Sequence, residues 1–466
     1  MVKEKWKLKS LNAYNYGILL ALSVICFIPT LFYCYVGEEA VFTLNSIEMW
    51  QHQEFRSVIM YGSVGGRPPL FNWLMIPLTR LMGWEHVLIA SRIVTVAATV
   101  GTGLILAWLA QQLWRNQTIS WVAATLYLVT ADVALYRGWL SYADPLFSMW
   151  IVFSIALIWV ACLRGSLILI LAAMVAAFAA FLTKAFTAYI FLGVSGLILI
   201  TQPDYRRFLL HYRTIIVFGV GLPLPILWFA FGTHDAGQGG GMYHDMADKL
   251  VGLDLGKYAL RLLAYPSEIF LRLMPASLFV AYFMVYQRRV IHGNAAVKTA
   301  LLIAGFNFLL YLLAPYGGAR YVMPIYAFVV LAAAYLVVQH TSPFHIKRWI
   351  VGMLVIELLL RAFAFPYYQK AYRGENFKKM AQEIVSQYGR YPIYITTTDY
   401  IGISVAAYID TLRLDQPAIT FPPTDFKNGI VITSKTQSAE GQLLKKITIN
   451  DYSVYLICRG LACNAR

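Results

Sequence analysis

Two adjacent carboxylates, Glu38 and Glu39, follow an apolar run that ends near Val36. Farther along the same polar stretch, an arginine followed by two prolines, Arg67-Pro68-Pro69, leads back into apolar sequence. The stretch from Gly37 to Trp73 is the first long polar interruption in a chain that is otherwise strongly apolar. A carboxylate pair and a fixed cation at a bilayer surface are what an enzyme acting on a phosphate-linked lipid would need.

The composition predicts a polytopic membrane protein. Of 466 residues, 59% are hydrophobic and only 13% are charged, whereas soluble proteins have about a quarter of their residues charged. The formal net charge of +15 could suggest nucleic acid, but basic residues of membrane proteins collect in cytoplasmic loops. We therefore expect membrane lipids as partners, and no nucleic acid.

Apolar runs long enough to cross about 30 Å of hydrocarbon recur along the chain. About eleven such spans lie at roughly 15–35, 86–110, 118–136, 145–162, 166–182, 185–201, 214–231, 268–286, 299–315, 321–339 and 349–366. A cytoplasmic N-terminus places most basic loops inside, as the positive-inside rule requires. The N-terminus and the loop from Thr201 to Arg213 are therefore predicted to be cytoplasmic.

This orientation leaves a small set of cations near the outer ends of spans or in outer loops. Ionisable residues at membrane depth usually face a cavity or a partner, and several cations converging on one cavity would bind phosphate. The alternative is that each side chain extends singly to lipid headgroups. The six cations are Arg67, Arg92, Arg137, Lys184, Arg261 and Arg320.

A second outer loop begins at Gly232 and contains a glycine run and two His-Asp pairs. His234 and His244 could ligate a divalent metal. Two histidines ten positions apart in a Gly-rich loop are a weak signal, and ordinary loop polarity is the favoured explanation. A metal is therefore an open alternative, and no other cofactor is expected.

The composition changes to that of a soluble domain from about Tyr367. One helical pattern at residues 375–389 and three short β-branched runs predict a small α/β domain on the outer face. The predicted division is a transmembrane domain at 1–366, with catalytic outer loops at 36–85 and 232–267, and an extracytoplasmic domain at 367–466. A scaffolding or acceptor-binding role suits this domain, and Cys458 and Cys463 could form a disulfide there.

Several motifs together resemble the membrane glycosyltransferases of the GT-C fold, especially the lipid A aminoarabinose transferase and protein O-mannosyltransferase superfamily. The resemblance covers approximately residues 10 to 340. Its marks are Glu38-Glu39 with Glu48-Met49, Arg67-Pro68-Pro69-Leu70-Phe71-Asn72-Trp73, Arg92, Gly138-Trp139-Leu140-Ser141-Tyr142-Ala143-Asp144-Pro145, Thr183-Lys184, an outer-loop histidine such as His244, and Arg320-Tyr321-Val322-Met323-Pro324.

Two positions depart from the family pattern. The first acidic residue of the family is usually Asp, whereas this chain has Glu38, which is one methylene longer. The aminoarabinose transferase has a Glu before the basic-Pro turn that holds a metal together with loop histidines. Here that position is Gly66, which puts a metal site of that type in doubt.

The resemblance implies a mechanism in which a sugar leaves a polyprenyl phosphate carrier by single displacement, with inversion. Glu38 is then the base, and Glu39 and Asp144 orient the sugar or the loop backbone. The donor phosphate is implied to contact Arg67, Lys184 and Arg320, with Arg92 and Arg137 as weaker candidates.

The expected acceptor is lipid A or another envelope glycolipid at the outer side of a bacterial inner membrane. A protein hydroxyl or a polysaccharide remains an alternative acceptor. A rival from another class is a flippase for the same lipid-linked sugar. Transporters often contain repeated halves, and no internal repeat is visible in this sequence. A third alternative is a lipid-binding scaffold without catalysis, which the acidic residue at Glu38 disfavours.

Overall fold

The computed structural model describes residues 16–65, 67–184, 186–231, 255–286, 293–314, 318–372, 375–397, 399–434, 441–449 and 452–464. The chain divides into two compact units. The first, called here the helical unit, consists of Met1–Ile28, Thr95–Trp139 and Ala143–Leu358. The second, called here the mixed unit, consists of Pro29–Val94, Leu140–Tyr142 and Leu359–Arg466.

The helical unit is built around helix Met323–His340, most of whose residues are buried. This helix packs against Gln117–Leu128, Ala143–Arg164, Ala276–Tyr286 and Ala295–Leu313. Small residues allow helices in a membrane to approach closely, and the central helix carries three successive buried alanines. Other α-helices of the unit among the described residues are Leu167–Thr183, Thr187–Ile200, Pro203–Leu209, Tyr212–Gly221, Leu224–Phe231, Leu255–Arg272 and Pro343–Leu359, which ends at the unit boundary. Helix Val87–Trp114 begins in the mixed unit and continues in this one from Thr95.

The chain is a multi-pass membrane protein. Among the described residues, five helices are long and apolar enough to cross a bilayer, or up to seven if each of two bent pairs is one span. The five are Trp84–Trp114, Ala143–Arg164, Ala295–Leu313, Ala319–His340 and Pro343–Ala371; the bent pairs are Pro203–Leu209 with Tyr212–Trp228, and Tyr258–Arg272 with Ala276–Tyr286.

The predicted count of about eleven spans is not confirmed. Three of the predicted spans correspond to shorter apolar helices, which are Tyr16–Phe32, Leu167–Thr183 and Thr187–Ile200. Helices of 14 and 17 residues reach only about 21 to 26 Å at about 1.5 Å per residue, which is less than the hydrocarbon thickness. The number of spans therefore stays a prediction.

The run predicted as a span at 118–136 is divided in the structure. Its helix begins at the Asn116 cap, whose side chain accepts hydrogen bonds from the next turn, and ends at Leu128. After a short break, Val133–Arg137 forms a π-helical turn. Such turns are frequent at functional sites because they displace side chains from the regular helical register. Here the turn carries Arg137 and directly follows Asp132.

The polar stretch after the first apolar run forms two helices joined through a β-hairpin. Helix Ala40–Gln51 precedes strands β1 (Val58–Met60) and β2 (Ser63–Gly65), and helix Leu70–Met82 follows them. The hairpin turn consists of Tyr61 and Gly62, with φ angles of 54° and 75°. Positive φ at both central residues is the mark of a tight turn whose twist matches the flanking strands. The Arg-Pro-Pro motif therefore begins at the end of a defined hairpin.

The C-terminal part contains the strands β3 (Ile393–Ile395), β4 (Gly429–Thr433), β5 (Gln442–Ile449) and β6 (Tyr452–Arg459). They form a four-stranded sheet with the order β3-β4-β6-β5. Strands β3 and β4 are parallel, and the other pairs are antiparallel. The predicted helix is present as Glu375–Tyr388, and the three predicted strands are present as β3, β4 and β6. The second helix, Tyr400–Leu412, and strand β5 were not predicted.

The first loop and the C-terminal sheet share one apolar core. Tyr35, Ala40, Leu44 and Tyr61 from the loop lie in a cluster with buried isoleucines and valines of the C-terminal part. The apolar face of Ala40–Gln51 is thus covered by Tyr400–Leu412, since these two helices pack together. The predicted domain boundary at 366/367 stays a prediction. Which segments lie in the membrane and which lie outside it stays a prediction.

Gln51 adds polar contacts to this shared core. Its Nε2 donates to the carbonyls of Leu414 (3.2 Å) and Gln416 (2.9 Å). Its Oε1 accepts the N–H of Ala418 at 2.9 Å. One amide side chain therefore satisfies three backbone groups of a C-terminal loop, which holds that loop against the helix that carries Gln51.

Cys458 and Cys463 form the disulfide that the sequence suggested. The bridge joins the end of strand β6 to the short helix Gly460–Asn464. Closing so short a loop contributes about 2 kcal/mol in the chain-entropy model. The bridge therefore stabilises the C-terminal end of the sheet.

Two buried carboxylates lie within the mixed unit. Glu48 accepts the N–H groups of Tyr61 (2.6 Å) and Gly62 (2.8 Å), which fixes the hairpin turn. Asp410 lies on Tyr400–Leu412 and accepts the N–H of Ile419 at 3.0 Å. Burial raises the pKa of Glu48, and burial raises the pKa of Asp410 to about 8. At neutral pH most of the Asp410 carboxyl is therefore protonated.

Stability of the mixed unit should depend on pH through Asp410. Because its pKa is raised on folding, the folded state keeps a proton that the unfolded state has released between about pH 4 and pH 8. The free energy of unfolding should fall with rising pH in this window, by about 1.4 kcal/mol per pH unit at most, and level off above it. Asp410→Asn cannot ionise, so its apparent thermal midpoint should vary less with pH.

The measurement is thermal unfolding of the full-length protein in detergent across this pH range. Asp415→Asn makes the same change at an exposed position and should behave as the wild type does. Identical pH dependence of Asp410→Asn and wild type would contradict the assignment.

Candidate active site

A buried ion pair between Glu39 and Arg92 holds the first loop of the mixed unit. Both side chains have 0% exposure, and Nη2 of Arg92 lies 2.6 Å from Oε2 of Glu39. The carboxylate also accepts the N–H groups of Val36 (2.7 Å) and Ser141 (2.7 Å). Glu39 therefore orients loop backbone from two separate segments of the chain.

All five N–H donors of the Arg92 guanidinium are occupied. Nε and Nη2 donate to Glu39. The other donors reach the carbonyls of Thr30 (2.9 Å), Tyr33 (2.5 Å) and Cys34 (2.9 Å). A buried charge is tolerated when it is paired and fully hydrogen-bonded. Arg92 thus fixes the end of the first apolar run to the helix that begins at Val87.

These contacts correct two expectations. Arg92 was expected to contact the donor phosphate, but it is buried and has no donor left for a ligand. Glu39 was expected to orient the sugar or the loop backbone. It binds loop backbone, whereas both of its oxygens are occupied and no solvent reaches it, so a contact with the sugar does not suit it. Packing buries this carboxylate of the doublet and exposes the other.

Glu38 is the exposed member of the doublet. Its backbone N–H donates to the hydroxyl of Tyr142 at 3.1 Å, and the same hydroxyl donates to the carbonyl of Val36 at 3.4 Å. Gly37, between them, has a φ of +62°, and an added Cβ would lie 2.8 Å from the Tyr142 oxygen. A glycine is therefore needed immediately before Glu38, and the local backbone presents the Glu38 side chain at the surface of the unit.

Arg67 follows the hairpin closely and has an exposed side chain. It precedes two buried prolines that lead into helix Leu70–Met82. The described residues provide it with no hydrogen bond or ion pair, so its guanidinium is available for an anionic ligand. Its position follows from the hairpin, whose turn Glu48 fixes.

In the helical unit, Lys184 and Asp144 form an ion pair with little exposure. Asp144 lies in the first turn of Ala143–Arg164, where a carboxylate interacts favourably with the helix dipole. Lys184 ends helix Leu167–Thr183, and its Nζ lies 4.5 Å from the centre of the Tyr321 ring. Asp144 therefore holds the ammonium group against an aromatic face.

Two arginines lie beside the same group of aromatic rings. The guanidinium of Arg320 lies 5.2 Å from the centre of the Tyr321 ring, and its Nη2 donates to the Tyr321 hydroxyl at 3.3 Å. Arg261 lies 5.1 Å from the Tyr265 ring and donates to the carbonyls of Ala314 and Tyr311. Arg261 thus caps the end of Ala295–Leu313, whereas Arg320 and Lys184 share one tyrosine.

Asp132 and Arg272 are site residues that the sequence analysis missed. Asp132 is buried and contacts Arg137 (2.9 Å) and Arg272 (2.6 Å), and it accepts the hydroxyl of Tyr326 at 2.9 Å. A usable signal was present, because Asp132 is a carboxylate inside a predicted apolar span and such residues usually have a partner. Only the fold shows that one of its partners comes from a helix 140 residues away.

Five basic residues of the helical unit lie near three tyrosines. Arg261 contacts Tyr265, and Arg272, on the same helix, shares Asp132 with Arg137. Tyr321 contacts Lys184 and Arg320. The Tyr311 and Tyr321 rings are stacked, with centres 6.5 Å apart. Among the residues that the structure describes, three carboxylates accompany these five cations, namely Asp132, Asp144 and Glu268. Basic side chains therefore outnumber acidic ones in this part of the unit, which suits a phosphate.

The structure thus brings four of the predicted residues into one unit, namely Asp144, Lys184, Arg320 and Arg137. Arg67, Glu38, Glu39 and Arg92 belong to the mixed unit. A single phosphate site that combines Arg67 with Lys184 and Arg320 stays a prediction. His234 and His244 lie outside the described residues. Within the described ranges, no group of three or more His, Cys, Asp or Glu side chains could hold a metal ion.

Comparison with known sequences gives one partial similarity. No protein-family model matches the chain. Over 164 residues it is 32% identical to an undecaprenyl phosphate-alpha-4-amino-4-deoxy-L-arabinose arabinosyl transferase of Pectobacterium atrosepticum. The matched segment is 34% of this chain and 29% of the relative. The sequence similarity therefore spans less than a third of that enzyme.

Solved structures resemble the chain over nearly its whole length. ArnT from Cupriavidus metallidurans in the apo state has a TM-score of 0.65 at 12% identity, covering 99% of both chains. The same protein bound to undecaprenyl phosphate has a TM-score of 0.66, with 96% and 98% covered. An oligosaccharyltransferase of Archaeoglobus fulgidus has a TM-score of 0.54 over 89% of this chain and 64% of its own. The chain has the GT-C fold, as its motifs predicted.

The two carboxylates of the acidic doublet should respond differently to substitution. Glu39→Gln breaks a buried pair and leaves the Arg92 charge uncompensated, which typically costs about 3 to 5 kcal/mol. We expect a clearly lower apparent thermal midpoint for the purified protein in detergent. Glu38→Gln is the matched control, because its side chain is exposed, and its midpoint should stay near that of the wild type. Equal midpoints for both variants would contradict the structural role of Glu39.

Proposed function

We propose that this chain, which shares the GT-C fold, is an inverting glycosyltransferase. It moves a sugar from a polyprenyl phosphate carrier to an envelope acceptor, such as lipid A or another glycolipid. The observation that carries the proposal is the cluster of five cations and three tyrosines in the helical unit, with its excess of positive charge. A cluster of this kind fits a carrier phosphate that is an anion both before and after transfer.

The relatives support this substrate class. The curated relative is named for a sugar on undecaprenyl phosphate, and one structural neighbour was solved with undecaprenyl phosphate bound. An aminosugar such as 4-amino-4-deoxy-L-arabinose is the first donor to test, because the matched relative is named for it. The acceptor choice follows from the same similarity, and a protein or polysaccharide acceptor is the alternative outcome of the test.

The chemistry proceeds as one displacement at the anomeric carbon. The acceptor oxygen forms a bond to C1 of the sugar while the bond between C1 and the carrier phosphate oxygen breaks. The electron pair of the broken bond goes to the phosphate, which changes from a singly charged diester to a monoester with more negative charge. Fixed cations such as Lys184 and Arg320 stabilise this developing charge without reorganising, which is how electrostatic catalysis lowers a barrier.

Glu38 takes the proton of the acceptor hydroxyl. Its carboxylate is exposed and its backbone is anchored on Tyr142, so the side chain has access to an acceptor that arrives from outside the unit. A base positioned in this way typically accelerates a reaction about 10²- to 10⁴-fold. An acceptor phosphate is already ionised and needs no base. The loss of turnover in Glu38→Gln should therefore be smaller with a phosphate acceptor than with a hydroxyl acceptor.

The same proposal places the enzyme in a bacterial inner membrane. The N-terminus and the loop from Thr201 to Arg213 lie in the cytoplasm, and the region after Tyr367 lies outside. The support is the distribution of basic residues, which collect in cytoplasmic loops.

Cysteine labelling in intact cells tests this orientation. In a background without the native thiols Cys26, Cys34 and Cys162, a cysteine in place of Lys427 should react with a membrane-impermeant reagent, because it lies outside. A cysteine in place of Arg207 should react only after the membrane is opened. Protection of the first and labelling of the second would reverse the topology.

The function is tested with purified protein, a synthetic undecaprenyl phosphate aminosugar and lipid A, with products identified by mass spectrometry. Glu38→Gln should lower turnover on a hydroxyl acceptor by about two orders of magnitude, while donor binding persists. Lys184→Gln should weaken undecaprenyl phosphate binding, because it removes a charge-assisted contact of about 1.5 to 3 kcal/mol.

Arg115→Gln, on the loop before Asn116, is the matched control for loss of a positive charge. It should leave both donor binding and turnover unchanged. Absence of transfer by the wild type to any envelope lipid, glycoprotein or polysaccharide, together with transport of the donor across vesicles, would favour the flippase instead.

A further inference from the structure

We propose that Asp132 is a positioning residue for the transfer step, which aligns Arg137 and Arg272 as a two-arginine clamp on the carrier phosphate. This inference rests on the proposed function and goes beyond it, because it assigns a role to a carboxylate that does not touch the sugar. The three residues, Asp132, Arg137 and Arg272, are called the clamp below.

The geometry joins two distant segments through one buried carboxylate. Oδ2 of Asp132 contacts Nε of Arg137 and accepts the hydroxyl of Tyr326, both at 2.9 Å. Oδ1 accepts Nη1 of Arg272 at 2.6 Å. The Asp132 side chain is only 1% exposed. Each oxygen therefore has a defined partner, and the carboxylate has one orientation.

The backbone beside the clamp is fixed as well. The N–H of Ala131 donates to the carbonyl of Met274 at 2.8 Å. This bond ties the residue before Asp132 to the residue that comes two positions after Arg272. The spacing between the two arginines is thus set by a main-chain contact and by a shared carboxylate, and not by the flexible arginine side chains themselves.

The clamp keeps donors for a ligand, unlike the Arg92 pair. Asp132 engages Arg137 through Nε alone, and in the described part of the chain neither Nη group of Arg137 has a hydrogen-bond partner. Arg272 gives Nη1 to Asp132 and Nε to Glu268 (2.8 Å), which leaves its Nη2 without a partner among the same residues. Three terminal nitrogen groups therefore remain for one anion. Guanidinium groups bind phosphate best when several of their N–H donors point the same way.

The clamp lies beside the cation cluster. Arg272 lies on the helix Leu255–Arg272, which also carries Tyr265. The hydroxyl of Tyr265 donates to the carbonyl of Gly318, two positions before Arg320, and Tyr321 contacts Lys184 and Arg320. The clamp therefore lies near a carrier phosphate that is held at Lys184 and Arg320. Negative charge that develops on the phosphate during transfer is what prealigned arginines stabilise.

The competing explanation is that Asp132 only neutralises two buried arginines. The two roles predict opposite changes in phosphate affinity for Asp132→Asn. Removing a negative charge makes the cluster more positive, so a purely electrostatic role predicts equal or tighter binding. Loss of alignment predicts weaker binding in spite of the added positive charge.

The experiment measures undecaprenyl phosphate affinity and turnover for full-length protein in detergent. We expect Asp132→Asn to weaken undecaprenyl phosphate binding about tenfold and to lower kcat at saturating donor about tenfold or more. In an Arg272→Gln background, Asp132→Asn should weaken undecaprenyl phosphate binding and lower kcat by about threefold or less. The reason is that the effects of substitutions at residues in contact are not additive. Asp204→Asn, an exposed carboxylate in the same unit, is the control for the chemical change and should match the wild type.

Three results would overturn the proposal. They are unchanged or tighter undecaprenyl phosphate binding by Asp132→Asn, full turnover of that variant, or equal losses with and without Arg272. If Asp132→Asn does not fold, Tyr326→Phe keeps every charge and removes only the hydroxyl that anchors Asp132; it should lower kcat, and unchanged kcat would count against the clamp. A wild type that transfers no sugar would refute the proposed function, whereas the affinity measurement would still decide on Asp132.

Discussion

The buried pair of Glu39 and Arg92 is the interaction on which the first loop depends. Two charges without solvent are stable only when their donors and acceptors have partners. Removing Glu39 would lose four hydrogen bonds, and removing Arg92 would lose five. Apart from the pair itself, the partners come from the end of the first apolar run and from the segment at Ser141. The pair therefore joins chain segments that are far apart in sequence and leaves the adjacent Glu38 in one defined place.

The helical unit uses buried charge differently. Its carboxylates, Asp132 and Asp144, each hold basic side chains against aromatic rings, but they do not consume all the donors of those side chains. An ion pair whose N–H donors are all hydrogen-bonded within the protein, such as that of Arg92, stabilises the fold. An ion pair that leaves some donors without a protein partner can still bind a ligand. The same residue types thus serve structure or ligand binding according to how many of their hydrogen bonds the protein itself fills. This difference is what separates Arg92 from Arg137, although both looked alike in the sequence.

The mixed unit places the hairpin of the first loop on the C-terminal sheet. Glu48 fixes the hairpin turn, and a carboxyl on the facing helix, Asp410, is buried in the same region. Burial raises the pKa of both carboxyls, so we expect the stability of this packing to vary with pH. The C-terminal part is thus more than an appended domain, since it completes the core under the segment that carries Glu38 and Arg67.

The sequence by itself determined the broad class of the protein. Apolar runs, scarce charge and the order of motifs around Glu38, Arg67 and Arg320 predicted a polytopic GT-C protein with a C-terminal α/β region, because composition and local motifs are properties of neighbouring residues. Only the tertiary structure decided which charged side chains are buried and fully hydrogen-bonded, and which can still contact a ligand. Asp132 pairs with Arg272, which is 140 residues away in the sequence, and Glu39 pairs with Arg92, which is 53 residues away. Such pairings depend on which helices meet, and no local pattern in the chain records that.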